Sequence, residues 1–104
     1  MCFCKPQTWG VVTSSSEKAF RVFKEVEAQL LCLTRRVYYP DRETPYMYDE
    51  FNNGVRLHWL HPTENVCGAR FRRVWIDSEL SEEYVRKILG PMLIDVEPDG
   101  TTYI

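Results

Sequence analysis

The stretch Asn53 to Glu79, NGVRLHWLHPTENVCGARFRRVWIDSE, decides the fold. Asn52-Asn53-Gly54 separates two β-prone runs, Tyr46 to Phe51 and Val55 to Leu60. An Asn-Gly pair tolerates the positive φ that both central residues of a tight hairpin adopt, so these runs are predicted to pair antiparallel. Pro62 to Gly68 reads as a polar loop, and Phe71 to Ile76 as a strand whose Val74-Trp75-Ile76 run predicts burial on both faces. That strand runs into Asp77-Ser78-Glu79, which puts carboxylates at a strand terminus, where α/β proteins hold their ligands.

Working outward, Trp9 to Thr13 is a short β-rich run, and Ser14-Ser15-Ser16-Glu17 offers a capping box in which Ser14 accepts a backbone amide and Glu17 reaches back. The helix that follows is expected to pack through Phe20, Phe23, Val26 and Leu30, with Lys18, Arg21, Lys24, Glu25 and Glu27 on its solvent side. Arg35 to Tyr39 reads as a strand closed by Pro40-Asp41, and Arg42 to Pro45 as a loop. Ser81 caps a second predicted helix, with Glu82 and Glu83 in its first turn, a packing face of Val85, Ile88 and Leu89, and a stop at Gly90-Pro91. Met92 to Val96 and Thr101 to Ile104 read as a terminal strand or hairpin around Pro98-Asp99-Gly100. The sum is an α/β chain, a two-layer sandwich with a mixed sheet of five or six strands and two helices.

A length of 104 residues, 44% of them hydrophobic, supplies one core and therefore one domain, 1–104. The net charge of -2 excludes a wholly basic nucleic-acid coat. No apolar run reaches the ~20 residues that cross a bilayer, and MCFCKPQTWG lacks the pattern of a secretory signal, so a cytoplasmic protein is expected, in the host cytoplasm if it is viral. Cys2, Cys4, Cys32 and Cys67 are then read as free or metal-linked thiols, with Cys32 as a small core residue.

Several pieces together resemble the ATPase core of phage large terminases, the DNA-packaging motors, and related helicase-type ATPases. GVVTSSSEKAFRVFKEVEAQLL, from Gly10 to Leu31, looks like the strand and helix that follow the phosphate loop. NGVRLHWLHP is similar to a later hairpin strand, and CGARFRRVWIDSE to the glycine and arginine loop leading into the strand that bears the metal-binding Asp. PMLIDVEPDGTTYI resembles the next strand with its coupling loop. The resemblance implies magnesium at Asp77, with Glu79 near it and Arg70 near phosphate. It also implies a catalytic Glu at position 78, where this chain has Ser78. A phosphate loop of the form GxxxxGKS/T needs glycines to expose amides to the phosphates and a Lys to balance their charge; Lys5-Pro6-Gln7-Thr8 has no glycine. Positioning and electrostatics supply almost all catalysis in phosphoryl transfer, so no hydrolysis is expected of the chain alone, and Asp77 reads first as a carboxylate accepting hydrogen bonds at a strand end.

Cys2, Cys4, His58, His61 and Cys67 are ligand types suited to zinc, but Cys-x-Cys is tighter than usual and the spacing of the histidines turns them to opposite faces of a strand, so sheet roles for both are expected. Arg56, Arg70, Arg72 and Arg73, with Arg35-Arg36, are candidates for a phosphate-binding strip beside Trp59, Trp75 or Tyr46, against a surface of local ion pairs with Glu43, Glu50 or Glu64. Cys67 has no base fixed beside it, and no catalytic residue is assigned. Tyr38, Tyr39, Tyr46, Tyr48 and Trp59, with Trp9, are residue types favoured at interface hot spots. The expectation is a small non-enzymatic protein of phage origin, without cofactor, that binds and regulates or inhibits a protein partner. The alternative is a degenerate terminase- or helicase-like domain that binds nucleotide or nucleic acid.

Overall fold

The computed structural model describes residues 7–31, 33–39, 41, 46–62 and 71–104. Its elements run β1 (Gln7–Val12), α1 (Ser16–Leu30), β2 (Thr34–Tyr39), β3 (Tyr46–Phe51), β4 (Val55–Leu60), β5 (Arg73–Ile76), α2 (Glu82–Tyr84) and β6 (Thr101–Tyr103). The strands form one six-stranded mixed sheet in the order β2-β3-β4-β1-β5-β6. β4, β1, β5 and β6 are mutually parallel, while β2, β3 and β4 form an antiparallel wing. The α/β class with a mixed sheet and two helices is therefore as the sequence predicts.

Strand alternation divides the side chains between two faces. Trp9 and Val11 of β1, Val55, Leu57 and Trp59 of β4, and Met47 and Phe51 of β3 meet Ala19, Val22, Phe23 and Val26 of α1. Val12, Val74 and Ile76 point the other way and pack with Phe71 and Leu89. The second helical segment thus covers β1 and β5 from the face opposite α1, and only the antiparallel wing keeps a two-layer build. Gly10 permits the close approach of Phe71: a Cβ there would stand 2.7 Å from the phenyl ring.

Four local expectations shift. The N-cap of α1 is Ser15, not Ser14; its hydroxyl accepts the Lys18 amide at 3.3 Å. The buried stripe of α1 is Ala19, Val22, Phe23 and Val26, which leaves Phe20 37% exposed at its flank. In the β3–β4 hairpin the positive φ is confined to Gly54, at 95°, because the connection is three residues long and Asn53 instead caps it, its Oδ1 accepting the Val55 amide at 3.1 Å. Gly90 and Pro91 do not stop the second helix. After α2 the chain continues as a π-helical turn, Val85–Leu89, and a 3₁₀ turn, Gly90–Leu93, so the predicted strand at 92–96 is helix and turn. A proline in the first turn of a new helix forfeits no hydrogen bond, which is why the chain can change helix type there. Leu89 is buried and Val85 partly so, as the expected packing face requires.

Candidate functional site: a buried aspartate at the parallel strand ends

β1 and β5 end side by side, and the Asp77 amide extends their ladder by donating to the Val12 carbonyl at 3.0 Å. The Asp77 side chain is 3% exposed. Its Oδ2 accepts the Thr13 hydroxyl at 2.7 Å; its Oδ1 accepts the Lys18 ammonium at 2.7 Å and the Glu79 amide at 3.0 Å. Thr13 is tied in turn, its hydroxyl accepting the Ser15 amide at 3.0 Å and its carbonyl accepting the Trp59 indole N–H at 2.9 Å. Lys18 also donates to the Ile104 carbonyl at 3.2 Å, and that carbonyl takes the Ser78 amide at 2.7 Å. One carboxylate thereby locks the ends of β1, β5 and the C-terminal strand to the first turn of α1. Burial works to raise the Asp77 carboxyl, but hydrogen bonds from Lys18, the Glu79 amide and Thr13, with the Lys18 charge, outweigh it and hold the acid below its ordinary value.

The magnesium implied by the resemblance does not fit this arrangement. A hard cation needs free carboxylate oxygens, and the ammonium of Lys18 occupies the position a cation would take. Glu79 meets Asp77 through its backbone amide while its own side chain is exposed, so the two carboxylates are not brought together. Among the described residues no group of three His, Cys, Asp or Glu side chains is placed to hold a metal. Beside Asp77 lies a cleft of about 490 Å³, lined by Asp77, Ser78, Leu80, Glu82, Val85, Arg86 and Tyr103.

The structure holds a second buried acid, one not singled out from the sequence. Asp49 of β3 is fully buried and receives a two-pronged hydrogen bond from Arg36 of β2, Nε to Oδ1 at 2.8 Å and Nη2 to Oδ2 at 3.2 Å. Arg36 also pairs with Glu27 of α1. Burial first, and the neighbouring Asp49 second, raise Glu27 against the pull of the Arg36 charge. The alternation of Met47, Asp49 and Phe51 was the available signal, since it puts the acid on the apolar face of the strand.

The remaining candidates separate. Tyr39, Tyr46 and Tyr48 share the face opposite α1 with His58: Tyr39 stacks on Tyr46 at 6.3 Å, and the Tyr46 hydroxyl meets His58 Nδ1 at 2.7 Å. Burial first, then the Arg56 charge, holds His58 below its ordinary value. Tyr38 lies on the α1 face, edge-on to Phe20 at 5.8 Å. Trp59 is corrected from partner-facing to core: it is 1% exposed, and its indole is spent on Thr13. Among the described residues the arginines do not line up as a strip. Arg72 and Arg73 both pair with Glu97, at 3.4 and 3.2 Å, Arg73 also lies over Trp9, and Arg56 stands apart on β4 near Glu50. His61 lies against Trp59, away from His58, while Cys2, Cys4, Cys32, Cys67 and Arg70 fall outside the described residues. No described helix is long and apolar enough to cross a membrane.

No protein-family model and no curated protein matches this sequence. Among solved structures, the chain is similar to the large terminase of a thermophilic bacteriophage. The match has a TM-score of 0.52 at 14% identity, covering 96% of this chain and 24% of that one. The same terminase in complex with ADP matches with a TM-score of 0.50 at 13% identity, covering 96% of this chain and 25% of that one. This chain spans about a quarter of the length of those terminases, and what it shares with them is the fold.

Proposed function

We propose that this chain is a non-enzymatic binding module of phage origin, built on the large-terminase fold, that regulates or inhibits a protein partner. The observation that carries the reading is the commitment of Asp77: both oxygens are taken by groups of the chain itself, and the following residue is a serine. Such a carboxylate holds the fold together, and the ammonium of Lys18 stands where a metal cation would bind it. The work then falls to the surface, where Tyr39, Tyr46 and Tyr48 present a contiguous aromatic group on the sheet face opposite α1. Rigid aromatic side chains carry a large share of binding energy at interfaces at little entropic cost. Capture from a host lysate with the wild-type chain and with Tyr48→Ala, Tyr39→Ala tests this. The reading expects a stoichiometric partner retained by the first and lost by the second; equal retention by both removes the aromatic face from the account.

One observation favours a second reading, a degenerate nucleotide-binding domain. The cleft beside Asp77 sits at the carboxyl ends of β5 and β6, where open parallel sheets take ligands, and offers Arg86 and the ring of Tyr103. Titration of ATP with magnesium, followed by tyrosine fluorescence in the wild type and in Arg86→Ala, separates the two. Saturable binding weakened by the substitution favours the nucleotide reading, and a flat titration favours the binding module.

A further inference from the structure

We propose that β2 is a self-pairing edge: two copies of this chain join β2 to β2, antiparallel, about a two-fold axis through Val37, and fuse their sheets into one. Among the described residues β2 is the outermost strand of the wing, with no strand beyond it. The Asn52 amide donates to the Leu33 carbonyl at 3.0 Å, so the backbone groups of Leu33 face β3. By alternation the N–H and C=O of Arg36 and Tyr38 point outward from the sheet, which is the template an added strand requires.

Edges of this kind are ordinarily guarded by charge, and β2 carries Arg35 and Arg36. Here the guard is partly engaged inside each copy. Arg36 pairs with Asp49 and Glu27 but keeps an exposed flank, and Arg35 stands directly across from Glu50 in the β2–β3 register. Beside its exposed arginines the edge shows a neighbour apolar surface: Leu33 is 79% exposed, Tyr38 42% and Tyr39 41%.

The sequence of β2 is complementary to itself about Val37. Antiparallel partners that face each other lie on the same side of a sheet, so a two-fold axis can pass only through a residue. With Val37 on the axis, Arg36 stands opposite the partner's Tyr38 on the α1 face, and Arg35 opposite the partner's Tyr39 on the other. All four arginines then meet an aromatic ring rather than another cation, an attractive pairing. Moving the axis to Arg36 sets two guanidinium groups against each other, which like-charge repulsion disfavours. Val37 is half-buried and suits the non-hydrogen-bonded centre of the ladder, where opposed side chains are closest.

Sedimentation velocity across a concentration series, on the full chain, reads the mass. A dimer is expected. Val37→Cys, oxidised mildly and digested, is expected to yield a peptide joined through residue 37 to itself, identified by mass spectrometry apart from links through the native cysteines. Tyr38→Lys places a cation against the partner's Arg36 and acts twice by symmetry, raising the dimer dissociation constant by roughly tenfold with the circular dichroism spectrum unchanged. A monomer at every concentration overturns the proposal, and so does a dimer that forms no link through residue 37 or that Tyr38→Lys leaves intact.

Discussion

The two buried aspartates are held in different ways. Asp49, on the antiparallel wing, is held by a planar guanidinium from the adjacent strand that fills both of its oxygens. Asp77, at the parallel strand ends, is held by three separate donors, of which the charged one comes from 59 residues away. The fork of Arg36 is a single two-pronged lock whose removal strands a fully buried charge. The Asp77 assembly is distributed, so removing one donor leaves the others. The wing clasp therefore reads as stability alone, whereas the strand-end clasp closes the carboxyl ends of β1 and β5 and borders a cleft.

Substitution of each cation tests that contrast. Arg36→Met is expected to cost about 3–5 kcal/mol, the range for breaking a buried pair and leaving one charge uncompensated. Lys18→Met leaves Asp77 with Thr13 and the Glu79 amide and is expected to cost about 1–3 kcal/mol. Urea denaturation of both variants checks the order, and equal losses would erase the distinction. Gly10→Ala drives a methyl into the Phe71 ring, 2.7 Å away, and belongs to the parallel half; a loss of about 1–3 kcal/mol is expected, relieved by adding Phe71→Leu. Gly54→Ala, on the wing, forces an L-residue to a φ of 95° and is expected to cost about 1 kcal/mol by the same measurement.

The two halves also answer differently to acid. His58, on the wing, has its pKa lowered by folding, so the unfolded chain binds its proton first. Its contribution is whole above the ordinary histidine value of 6.5 and is lost as pH falls through the folded value. Asp77 is lowered too, so its contribution is whole above 3.8 and is lost only as pH falls below that. Thermal melts from pH 8 to pH 3 should show a first decline beginning near 6.5, absent in His58→Gln, and a second below 3.8 that Asp77→Asn removes.

Much of the wing was legible because its signals are local: Asn53-Gly54 and alternation place the hairpin, and Asp49 could have been found from the same alternation. The strand-end clasp was half legible. Asp77 stood out as an acid closing a buried strand, but Lys18 looked like one more solvent-side cation of an amphipathic helix. What recruits it is a contact 59 residues distant in sequence, set by the pairing of β1 with β5. Residues 92–96 are not legible as helix because apolar content without alternation does not distinguish a strand from a helical turn, and Pro91 carries the same signal whether it ends one helix or opens the next. The arginines are a similar case: their types suggest a phosphate strip, but Glu97 engages both Arg72 and Arg73 while Arg56 stands apart near Glu50.

The proposed function makes the Asp77 carboxylate a part of the fold and of no hydrolytic cycle. Its most direct test is phosphate release from ATP with magnesium by the purified chain and by Asp77→Asn. The account predicts release at the buffer rate from both, with a lower melting temperature in the variant. Turnover by the wild type that disappears in the folded variant would contradict it.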